Sequence, residues 1–358
     1  MLHAVIMAGG AGTRFWPVSR RDRPKQLQPL YGRTSLLRQT VDRLRGFVPP
    51  ERVLVVTNER LVEASARELP ELPSQSIIGE PAKRDTAPCI GLAALLVLRD
   101  DPEAVMVVMP SDHVISPPER FAAAVEQAVE LVAAAPHRLV TFGIRPTYPA
   151  ESFGYIHRGP PLETGGAPAY QVRQFREKPD ARTAASYLES GEYYWNGGIF
   201  VWRAETILSE LQRRQAGMLA HLRAIAEAWG TDRQAATFGR EFTAIEGTSI
   251  DYAVMEHARD VAVVEAPFDW DDVGSWQSLA RLAGADKNGN TVAGRHVGIA
   301  TRDCIIRSDG NHLVATLGLE DVIVVHTPDA TLVARKQDEE RIRELVKELE
   351  SQGQQDVL

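Results

Sequence analysis

The sequence lacks several features that define large classes of protein. Only two cysteines, Cys89 and Cys304, occur in 358 residues, so no disulfide framework is expected and both should be buried free thiols. No apolar run approaches the roughly 18 residues of a membrane-spanning helix. The N-terminus lacks the basic stretch of a secretory signal, and the nine histidines show no zinc-site spacing. We therefore expect a cytoplasmic protein that binds no membrane.

Lysine is also scarce, at six of the 40 basic residues. The chain as a whole is acidic, with a net charge of -8. Against that background, five basic residues crowd into one short segment: Arg14, Arg20, Arg21, Arg23 and Lys25. A cationic segment in an acidic protein indicates a local site for a polyanionic ligand, whereas a nucleic-acid-binding protein would present a general basic face. We expect no nucleic acid partner.

The overall composition, 44% hydrophobic and 25% charged, is that of a globular protein with room for one large or two unequal domains. Strand-like runs at residues 3–8, 53–56, 104–109 and 139–142 alternate with helix-like segments, including 86–97, where Thr86 should be the N-cap, and 121–134. This alternation predicts an α/β fold with a parallel sheet. A strong turn signal at 287–290 divides the chain into predicted domains 1–286 and 287–358. The second should be β-rich and closed by a helix over 338–349.

The first predicted strand runs into three glycines, Gly9, Gly10 and Gly12. Glycine lets the backbone turn sharply and approach a ligand closely. Successive backbone N–H groups in such a turn form a concave anion site, here beside Arg14, and phosphate is the natural occupant. No Gly-Lys-Ser/Thr follows, so this is not a Walker loop, and the glycines are too close together for a dinucleotide-binding motif. An ordinary tight turn is the alternative.

Ser111 and Asp112 follow the clearest central strand, residues 104–109. In open α/β sheets ligands bind outside the carboxyl ends of the strands, so Asp112 is expected to point toward a nucleotide. A carboxylate beside phosphates also suits Mg²⁺, which binds one or two carboxylates together with substrate oxygens. The alternative is that Asp112 only caps a helix.

The glycine loop begins a longer series of motifs. Residues 8–14, from Ala8 through Ala11 to Arg14, are followed by Pro24-Lys25-Gln26. This pattern resembles the sugar-nucleotide pyrophosphorylases, and residues 15–20 are similar to the mannose-1-phosphate guanylyltransferase family in particular. The resemblance covers nearly the whole chain. It implies a Rossmann-like, mostly parallel sheet of the GT-A-like nucleotidyltransferase type, then a small left-handed β-helix-like domain with a terminal helix. Bifunctional relatives carry a further C-terminal isomerase domain, which we expect this chain to lack.

The resemblance also implies the site residues. The catalytic set would be Arg14, Lys25, Asp112 and Asp272, with Mg²⁺ held by Asp112 and Asp272. Asp271 would be the solvent-facing neighbour. Nucleotide contacts would come from Ala8, Gly9, Gly10, Gly12, Thr13, Glu80, Arg84, Thr86, Pro88 and Ser111. Sugar-phosphate contacts would come from Gly154, Tyr155, Glu177, Lys178, Asn196 and Gly197.

Two sugar-side positions need comment. Pro179 predicts an extended conformation for Lys178, which would hold its side chain toward the cleft. The alternative for Glu177-Lys178-Pro179 is a solvated turn. At position 197 the family commonly has serine, and the glycine here puts the details of the sugar contacts in question.

The implied activity is transfer of GMP from GTP to mannose 1-phosphate, giving GDP-mannose and pyrophosphate. A sugar phosphate oxygen would attack the α-phosphorus in line with the leaving pyrophosphate, with Mg²⁺ as cofactor and no covalent enzyme intermediate. A phosphate monoester has a second pKa of about 6, so no side-chain base is required. The resemblance implies a homodimer. A pyrophosphorylase for another nucleoside triphosphate and hexose 1-phosphate, or a sugar-nucleotide-sensing subunit without turnover, are the alternatives.

Overall fold

The structure, a computed structural model, describes residues 1–10 and 12–358. Ala11 of the glycine loop lies outside the described residues. The chain forms two compact units. The first comprises residues 1–9, 41–111 and 115–270, and the second comprises residues 10–40, 112–114 and 271–358. Each unit has a hydrophobic core of its own.

The first unit is built on a nine-stranded sheet. In chain order up to residue 271, the strands are β1 (Leu2–Ala8), β2 (Val53–Asn58), β3 (Ile77–Glu80), β4 (Val105–Pro110), β5 (Val114–Ser116), β6 (Leu139–Ile144), β7 (Tyr155–Leu162), β8 (Ala169–Arg176), β9 (Tyr193–Arg203), β10 (Val261–Glu265) and β11 (Asp269–Asp271). All of them except β5 and β11 belong to the nine-stranded sheet. The sheet order is β3-β2-β1-β4-β9-β6-β10-β8-β7. Strands β3, β2, β1 and β4 are parallel, whereas β9, β8 and β7 run antiparallel to their neighbours, so the sheet is mixed.

Helices lie between these strands along the chain. They are α1 (Leu36–Asp42), α2 (Val62–Glu68), α3 (Thr86–Asp100), α4 (Pro118–Ala134), α5 (Ala181–Ser190), α6 (Ala204–Arg214), α7 (Ala216–Ala228) and α8 (Gln234–Ala244). Helices α2 to α6 pack against strands of the nine-stranded sheet, while α7 packs on α3 and α8 packs on α7. The middle of α3 is buried almost all round, so this helix lies in the core of the first unit. The parallel strands β1 and β4 are near-continuous apolar runs because both faces of a parallel sheet are covered. The predicted α/β class is confirmed.

The predicted N-cap of α3 is wrong by one residue. Thr86 is the first residue of the helix, and the N-cap is Asp85, whose Oδ1 accepts a hydrogen bond from the Thr86 N–H at 2.9 Å. The Thr86 hydroxyl instead accepts from the Ile250 N–H at 2.8 Å. Thr86 therefore connects the start of α3 to a distant segment, which sequence periodicity does not reveal. Pro88 lies in the first turn, as predicted.

Short parallel strands dominate the C-terminal part of the second unit. The elements are α9 (Trp276–Ala283), β12 (Thr291–Ala293), β13 (Arg295–Ile299), β14 (Ile305–Ser308), β15 (Leu313–Leu317), β16 (Val322–His326), β17 (Thr331–Arg335) and α10 (Ile342–Ser351). They form one sheet with the order β12-β14-β16-β17 and a second that pairs β13 with β15. The predicted β-rich, β-helix-like segment with a closing helix is confirmed. A domain boundary near residue 287 stays a prediction.

Residues 10–40 belong to this second unit, which the sequence did not predict. The Trp16 indole N–H donates to the Val357 carbonyl at 2.7 Å. Arg20 donates to the Asp329 carboxylate at 2.8 Å, and Arg21 pairs with Glu350. Arg14 pairs in the same way with Glu340, with Nε 3.2 Å from Oε2. Part of the basic cluster is therefore neutralised by acidic side chains of the C-terminal segment, whereas Lys25 pairs with Asp112.

Two smaller expectations can be compared directly with the structure. Cys89 and Cys304 are both buried free thiols, as predicted. In the part of the chain that the structure describes, no helix has the length and the hydrophobicity to cross a membrane.

Candidate active site

Lys25 connects the two residues predicted to hold a metal, and all of these residues belong to the second unit. Its side chain is only 8% exposed. The Nζ atom donates to Asp112 Oδ2 at 2.8 Å and to the backbone oxygen of Asp272 at 2.7 Å. Asp112 comes 87 positions after Lys25 and Asp272 comes 247 positions after it. One buried ammonium group thus holds two distant acidic segments together.

The glycine loop has a shape that leaves room for Lys25. Gly12 adopts a φ of 60°, in the left-handed region that favours glycine. A Cβ atom at this position would lie 2.3 Å from Lys25 Cβ, so no larger residue fits without displacing the lysine. The Ser19 hydroxyl donates to the Gly12 carbonyl at 2.6 Å and fixes the turn. An ordinary tight turn does not require this close approach.

A strained loop presents Asp272. Val273 is fully buried and has a φ of 47°, which is unfavourable for a β-branched residue. The Gly274 N–H donates to Asp272 Oδ1 at 3.2 Å, and a Cβ on Gly274 would come within 2.7 Å of Asp272 Oδ2. Arg14 donates to the Gly274 carbonyl at 2.7 Å. Such strain is typical of functional sites, where it fixes the position of a reactive side chain.

The prediction that Asp271 faces solvent is wrong. Its side chain is only 12% exposed. One carboxylate oxygen, Oδ1, accepts from the Val273 N–H at 2.7 Å, and the other accepts from Arg281 at 3.1 Å. Asp271 therefore shapes the loop, and its oxygens are already used, which leaves Asp272 as the candidate ligand.

The electrostatics of the two carboxylates suit a divalent cation. Burial alone would raise the pKa of Asp112, but the charges of Lys25 and His113 outweigh it and the pKa is lowered. Burial raises the pKa of Asp272, the charge of Lys25 opposes that effect, and the negative charges of Asp271 and then Asp112 add to it. A cation would relieve this repulsion. Among residues 1–10 and 12–358 no three His, Cys, Asp or Glu side chains form a metal cage, so a bound ion would depend on substrate oxygens, as Mg²⁺ commonly does.

In the first unit, Glu80 is the most unusual of the predicted nucleotide-binding residues. It ends β3 and is 8% exposed, and its Oε1 is buried without a hydrogen-bond partner. Burial, followed by the negative charge of Asp85, raises the pKa of Glu80 to about 8. A buried polar group without a partner destabilises a protein by about 1–3 kcal/mol. A ligand that donates hydrogen bonds would favour the carboxylate form of Glu80 and give Oε1 the partner that it lacks.

The other predicted nucleotide-binding residues fall into two groups. Some are exposed loop positions, namely Gly9, Gly10 and Thr13. Others are buried: Ala8, Pro88 and Ser111. Arg84 donates to the Thr243 carbonyl at 2.5 Å, and the Thr86 hydroxyl is engaged as described above. Residues that are buried or already hydrogen-bonded within the protein offer a ligand little beyond their backbone groups.

On the predicted sugar side, also in the first unit, a glycine makes room for a carboxylate. A Cβ on Gly154 would lie 2.0 Å from Glu177 Oε1. The Glu177 side chain is 8% exposed, and its backbone N–H donates to Glu256 at 3.0 Å. Lys178 Nζ lies 4.0 Å from Glu177 Oε2, and the lysine side chain is 58% exposed. The expectation of an extended Lys178 is wrong, because its φ is 42°.

Asp251 is a candidate site residue that sequence reasoning missed. It accepts a hydrogen bond from Asn196 Nδ2 at 3.0 Å. Burial, followed by the charge of Asp251, raises the pKa of Glu177 to about 7, against the opposing charge of Lys178. Asp251 begins a π-helical turn, Asp251–Met255, a rare element that is frequent at functional sites. The sequence around it reads equally well as an ordinary amphipathic helix, so its pattern does not single out Asp251.

Two further predicted sugar-side residues have mainly structural surroundings. Tyr155 is fully buried and packs against Tyr187, with ring centroids 5.3 Å apart. Gly197 is also buried, and a Cβ there would lie 2.9 Å from the Phe142 carbonyl oxygen. A serine at 197 would be crowded in this backbone, which is a physical reason for the departure from the family pattern.

Comparison with known proteins accounts for both units. The family model described as nucleotidyl transferase matches residues 3–289, and the MannoseP isomerase/GMP-like beta-helix domain matches residues 294–349. A mannose-1-phosphate guanylyltransferase of Klebsiella pneumoniae is 40% identical over 349 residues, which cover 97% of this chain and 73% of that protein. The chain belongs to the mannose-1-phosphate guanylyltransferase family. The resemblance and the enzyme class predicted from the sequence are thereby confirmed.

Solved structures share the fold of this chain. A Thermus thermophilus protein, described as a mannose-1-phosphate geranyltransferase, superimposes with a TM-score of 0.86 at 36% identity, covering 98% of this chain and 99% of that one. A Helicobacter pylori protein described as a mannose-6-phosphate isomerase gives a TM-score of 0.61 at 27% identity, covering 75% of this chain and 99% of that one. The family acts on a nucleotide and a sugar phosphate.

Proposed function

We propose that this chain transfers GMP from GTP to mannose 1-phosphate, forming GDP-mannose and releasing pyrophosphate. Family membership supports the proposal, and one structural observation carries it. Lys25, held against Gly12 of the glycine loop, donates to Asp112 and to the backbone of Asp272. This joins a phosphate-binding loop, a buried cation and two acidic segments, as nucleotidyl transfer requires.

The reaction needs charge stabilisation more than acid–base catalysis. A mannose 1-phosphate oxygen forms a bond to the α-phosphorus of GTP while the bond from that phosphorus to the pyrophosphate oxygen breaks. No covalent enzyme intermediate forms, and the attacking phosphate is already largely dianionic near pH 7, with a second pKa of about 6. Lys25 and Arg14 would stabilise the charge on the α-phosphate and the departing pyrophosphate. Because Lys25 is buried, its interaction is stronger than in water.

Mg²⁺ is the proposed cofactor, held by Asp112 and Asp272. The fit rests on the repulsion between these carboxylates and on the 28% exposure of the Asp112 side chain, which leaves it accessible. A bound Mg²⁺ supplies neutralisation of phosphate charge. Lys25 would keep Asp112 oriented through its hydrogen bond to Oδ2, while the strained loop at Val273 would do the same for Asp272.

Glu80 favours guanine over the other bases. Guanine carries adjacent N–H donors at N1 and N2 on one edge, and a carboxylate can accept from both. Adenine, cytosine and uracil do not present two adjacent donors of this kind. The buried, unpartnered Oε1 of Glu80 would gain a partner on binding GTP. This is the observation that separates GTP from other nucleoside triphosphates.

On the sugar side, Glu177 would accept from a sugar hydroxyl and Lys178 would bind the sugar phosphate. The space left by Gly154 lets the Glu177 carboxylate occupy its position. The exposed Lys178 ammonium can reach a ligand, and the positive φ of Lys178 sets its direction. Backbone groups of Gly197 and Tyr155 would complete this side.

The proposal extends to a cytoplasmic homodimer. GTP is a cytoplasmic metabolite, which supports the location. The pair β13–β15 supports association, because its exposed side chains are apolar: Val297, Ile299, Leu313 and Leu317 are 57%, 67%, 45% and 74% exposed. The opposite side of the same pair is polar and buried, where Thr316 contacts Thr301 and His296 at 2.7 and 2.8 Å. Parallel sheets normally have both faces covered.

A pyrophosphate-release assay tests the proposed activity. The full chain with Mg²⁺ is given each of the common nucleoside triphosphates with mannose 1-phosphate, glucose 1-phosphate or galactose 1-phosphate. We expect the highest kcat/KM for GTP with mannose 1-phosphate. A higher value for another pair would reassign the substrates, and binding of GDP-mannose without any pyrophosphate release would indicate a sensor.

A further inference from the structure

Asn196 is more fully engaged than a sugar-binding amide should be. Its Oδ1 accepts from the Gly198 N–H at 3.1 Å. The same Oδ1 also accepts from the Thr141 hydroxyl at 3.2 Å, and Nδ2 donates to Asp251 at 3.0 Å. A hydrogen bond from the Asn196 side chain also lowers the pKa of Glu177. An asparagine amide has only two N–H donors. The amide therefore bridges two carboxyl groups, and little of its hydrogen-bonding capacity remains for a ligand.

The carboxyl groups on either side of the Asn196 amide can still accept hydrogen bonds, whereas the amide has little hydrogen-bonding capacity left. Within residues 1–10 and 12–358, Asn196 is the only side chain that donates to Asp251, and it uses Oδ1. Asp251 is half-buried, and within the same described residues no side chain donates to its second oxygen. A carboxylate can accept about four hydrogen bonds. Asp251 Oδ2 is therefore the strongest unused acceptor beside Glu177.

The geometry points to Asp251 as a second sugar-hydroxyl acceptor that acts beside Glu177, with the Asn196 amide holding the two carboxylates apart. Two carboxylates bridged by one amide can accept from neighbouring hydroxyls of one hexose ring. This inference rests on the proposed function, because it assigns a further residue to the same sugar-phosphate site. It also changes the role of Asn196, which becomes a positioning residue.

The charges facing this cluster are compatible with acceptor roles at mildly alkaline pH. Burial raises the pKa of Asp251 to about 6 and that of Glu177 to about 7. Lys178 opposes both shifts, whereas Asp85 adds to that of Asp251 and Glu256 to that of Glu177. At pH 8 both groups are therefore carboxylates that accept hydrogen bonds.

Asp251→Asn separates ligand binding from support of Asn196. The asparagine oxygen can still accept from Asn196 Nδ2, so the bridge is kept, while the second oxygen becomes an NH₂ group that cannot accept. We expect kcat/KM for mannose 1-phosphate at pH 8 to fall roughly 10- to 100-fold, mostly through KM. GTP affinity, measured by calorimetry without the sugar, should stay within about twofold of the unchanged chain. Substitutions away from a binding site usually change free energies by no more than about 0.5 kcal/mol.

A series of monodeoxy mannose 1-phosphates identifies the hydroxyl. The analogue that lacks the hydroxyl bound by Asp251 should react equally well with the unchanged chain and with Asp251→Asn, while the other analogues should show the full loss. Tyr252→Phe, at a 47% exposed position of the same turn, is the matched control and should behave as the unchanged chain.

Three outcomes would overturn the inference. One is an Asp251→Asn variant with normal kcat/KM beside an impaired Asp251→Ala variant, because Asp251 would then only support Asn196. Another is an equal loss for every deoxy analogue, which would indicate a general disturbance of the turn. The third is an unchanged chain that neither turns over nor binds any hexose 1-phosphate in calorimetry, which would overturn the proposed function as well. Normal turnover by the unchanged chain with either of the first two results would overturn this inference alone.

Discussion

At the scale of single residues, Lys25 shows why residue type matters more than charge. Its ammonium group sits between a carboxylate and a carbonyl, and Gly12 leaves room for the Lys25 Cβ atom. Arginine keeps the charge, but its planar guanidinium places donors in other directions and needs more space. In a chain with only six lysines among 40 basic residues, lysine at this position is therefore a specific requirement.

We expect Lys25→Arg to lower kcat by roughly 10- to 100-fold, the equivalent of one charge-assisted hydrogen bond. Pyrophosphate release under saturating GTP and Mg²⁺ measures the effect. Lys347→Arg on the exposed face of α10 is the control and should keep normal kcat. Normal activity of Lys25→Arg would mean that Lys25 provides charge only.

The two carboxylates that we assign to Mg²⁺ give a second prediction. Asp112→Asn and Asp272→Asn should each reduce kcat by orders of magnitude at limiting Mg²⁺, and a chelator should abolish turnover of the unchanged chain. Circular dichroism should show an intact fold in both variants. Asp269→Asn, a change at an exposed acidic residue, should keep normal Mg²⁺ dependence. Near-normal kcat in both variants with limiting Mg²⁺ would disprove the assignment.

Glu80 gives a prediction about pH and stability. Its pKa is raised from 4.5 to about 8 in the folded chain, so the folded state binds more protons than the unfolded state between these values. Stability linked to this group therefore falls as pH rises through that window. A shift of this size corresponds to roughly 5 kcal/mol at about 1.4 kcal/mol per unit.

Glu80→Gln cannot titrate, so we expect it to unfold at higher denaturant concentration than the unchanged chain at pH 8.5, without ligand. The difference should shrink at pH 6, where Glu80 is mostly protonated. Urea unfolding at the two pH values measures it. The idea fails if the two proteins lose stability in parallel as pH rises.

At the scale of elements, the sequence predicts what is encoded locally. Strands β1 and β4 are continuous apolar runs, and helix α4 is an amphipathic run. Their hydrophobic periodicity in the sequence is enough to indicate strand or helix. The N-cap of α3 and the φ of Lys178 were predicted wrongly: the preceding Asp85 caps the helix, and Lys178 has a positive φ although Pro179 follows it. The pairing of Lys25 with Asp272 spans 247 positions, so only the family resemblance could suggest that they belong to one site.

The glycine loop offers a test at this scale. We expect Gly12→Ala to destabilise the chain by roughly 1–2 kcal/mol, because alanine is unfavourable in the left-handed region, and to lower kcat by displacing Lys25. Gly10→Ala is the matched control for stability, since no atom lies within 4 Å of a Cβ there. Urea unfolding and pyrophosphate release together measure both effects. Equal stability of the two variants would show that the turn tolerates a side chain.

At the scale of the whole molecule, the β13–β15 pair exposes apolar side chains and buries polar ones, which is the reverse of an ordinary surface sheet. Thr301 and Thr316 are buried at 5% and 9% exposure, while Ile299 and Leu317, paired across the two strands, are 67% and 74% exposed. Exposed apolar patches of this kind mark interaction sites. The two strands carry no carboxylate in a chain of net charge -8, and Arg295 is bonded to Asn311. Apolar side chains that carry no charge can meet their own copies, as a twofold interface requires.

We therefore expect a homodimer through this face. Two five-residue strands cover less than the roughly 800 Å² per partner of a stable interface, so the dimer should dissociate on dilution. Analytical ultracentrifugation across a concentration series should show a monomer–dimer equilibrium for the unchanged chain. Leu317→Asp should shift it to monomer, because the twofold contact would bring two carboxylates together in an apolar surface. The exposed valine of β17 provides the control, since Val333→Asp lies outside the β13–β15 pair and should leave the equilibrium unchanged. A Leu317→Asp dimer of normal affinity would show that another surface mediates association.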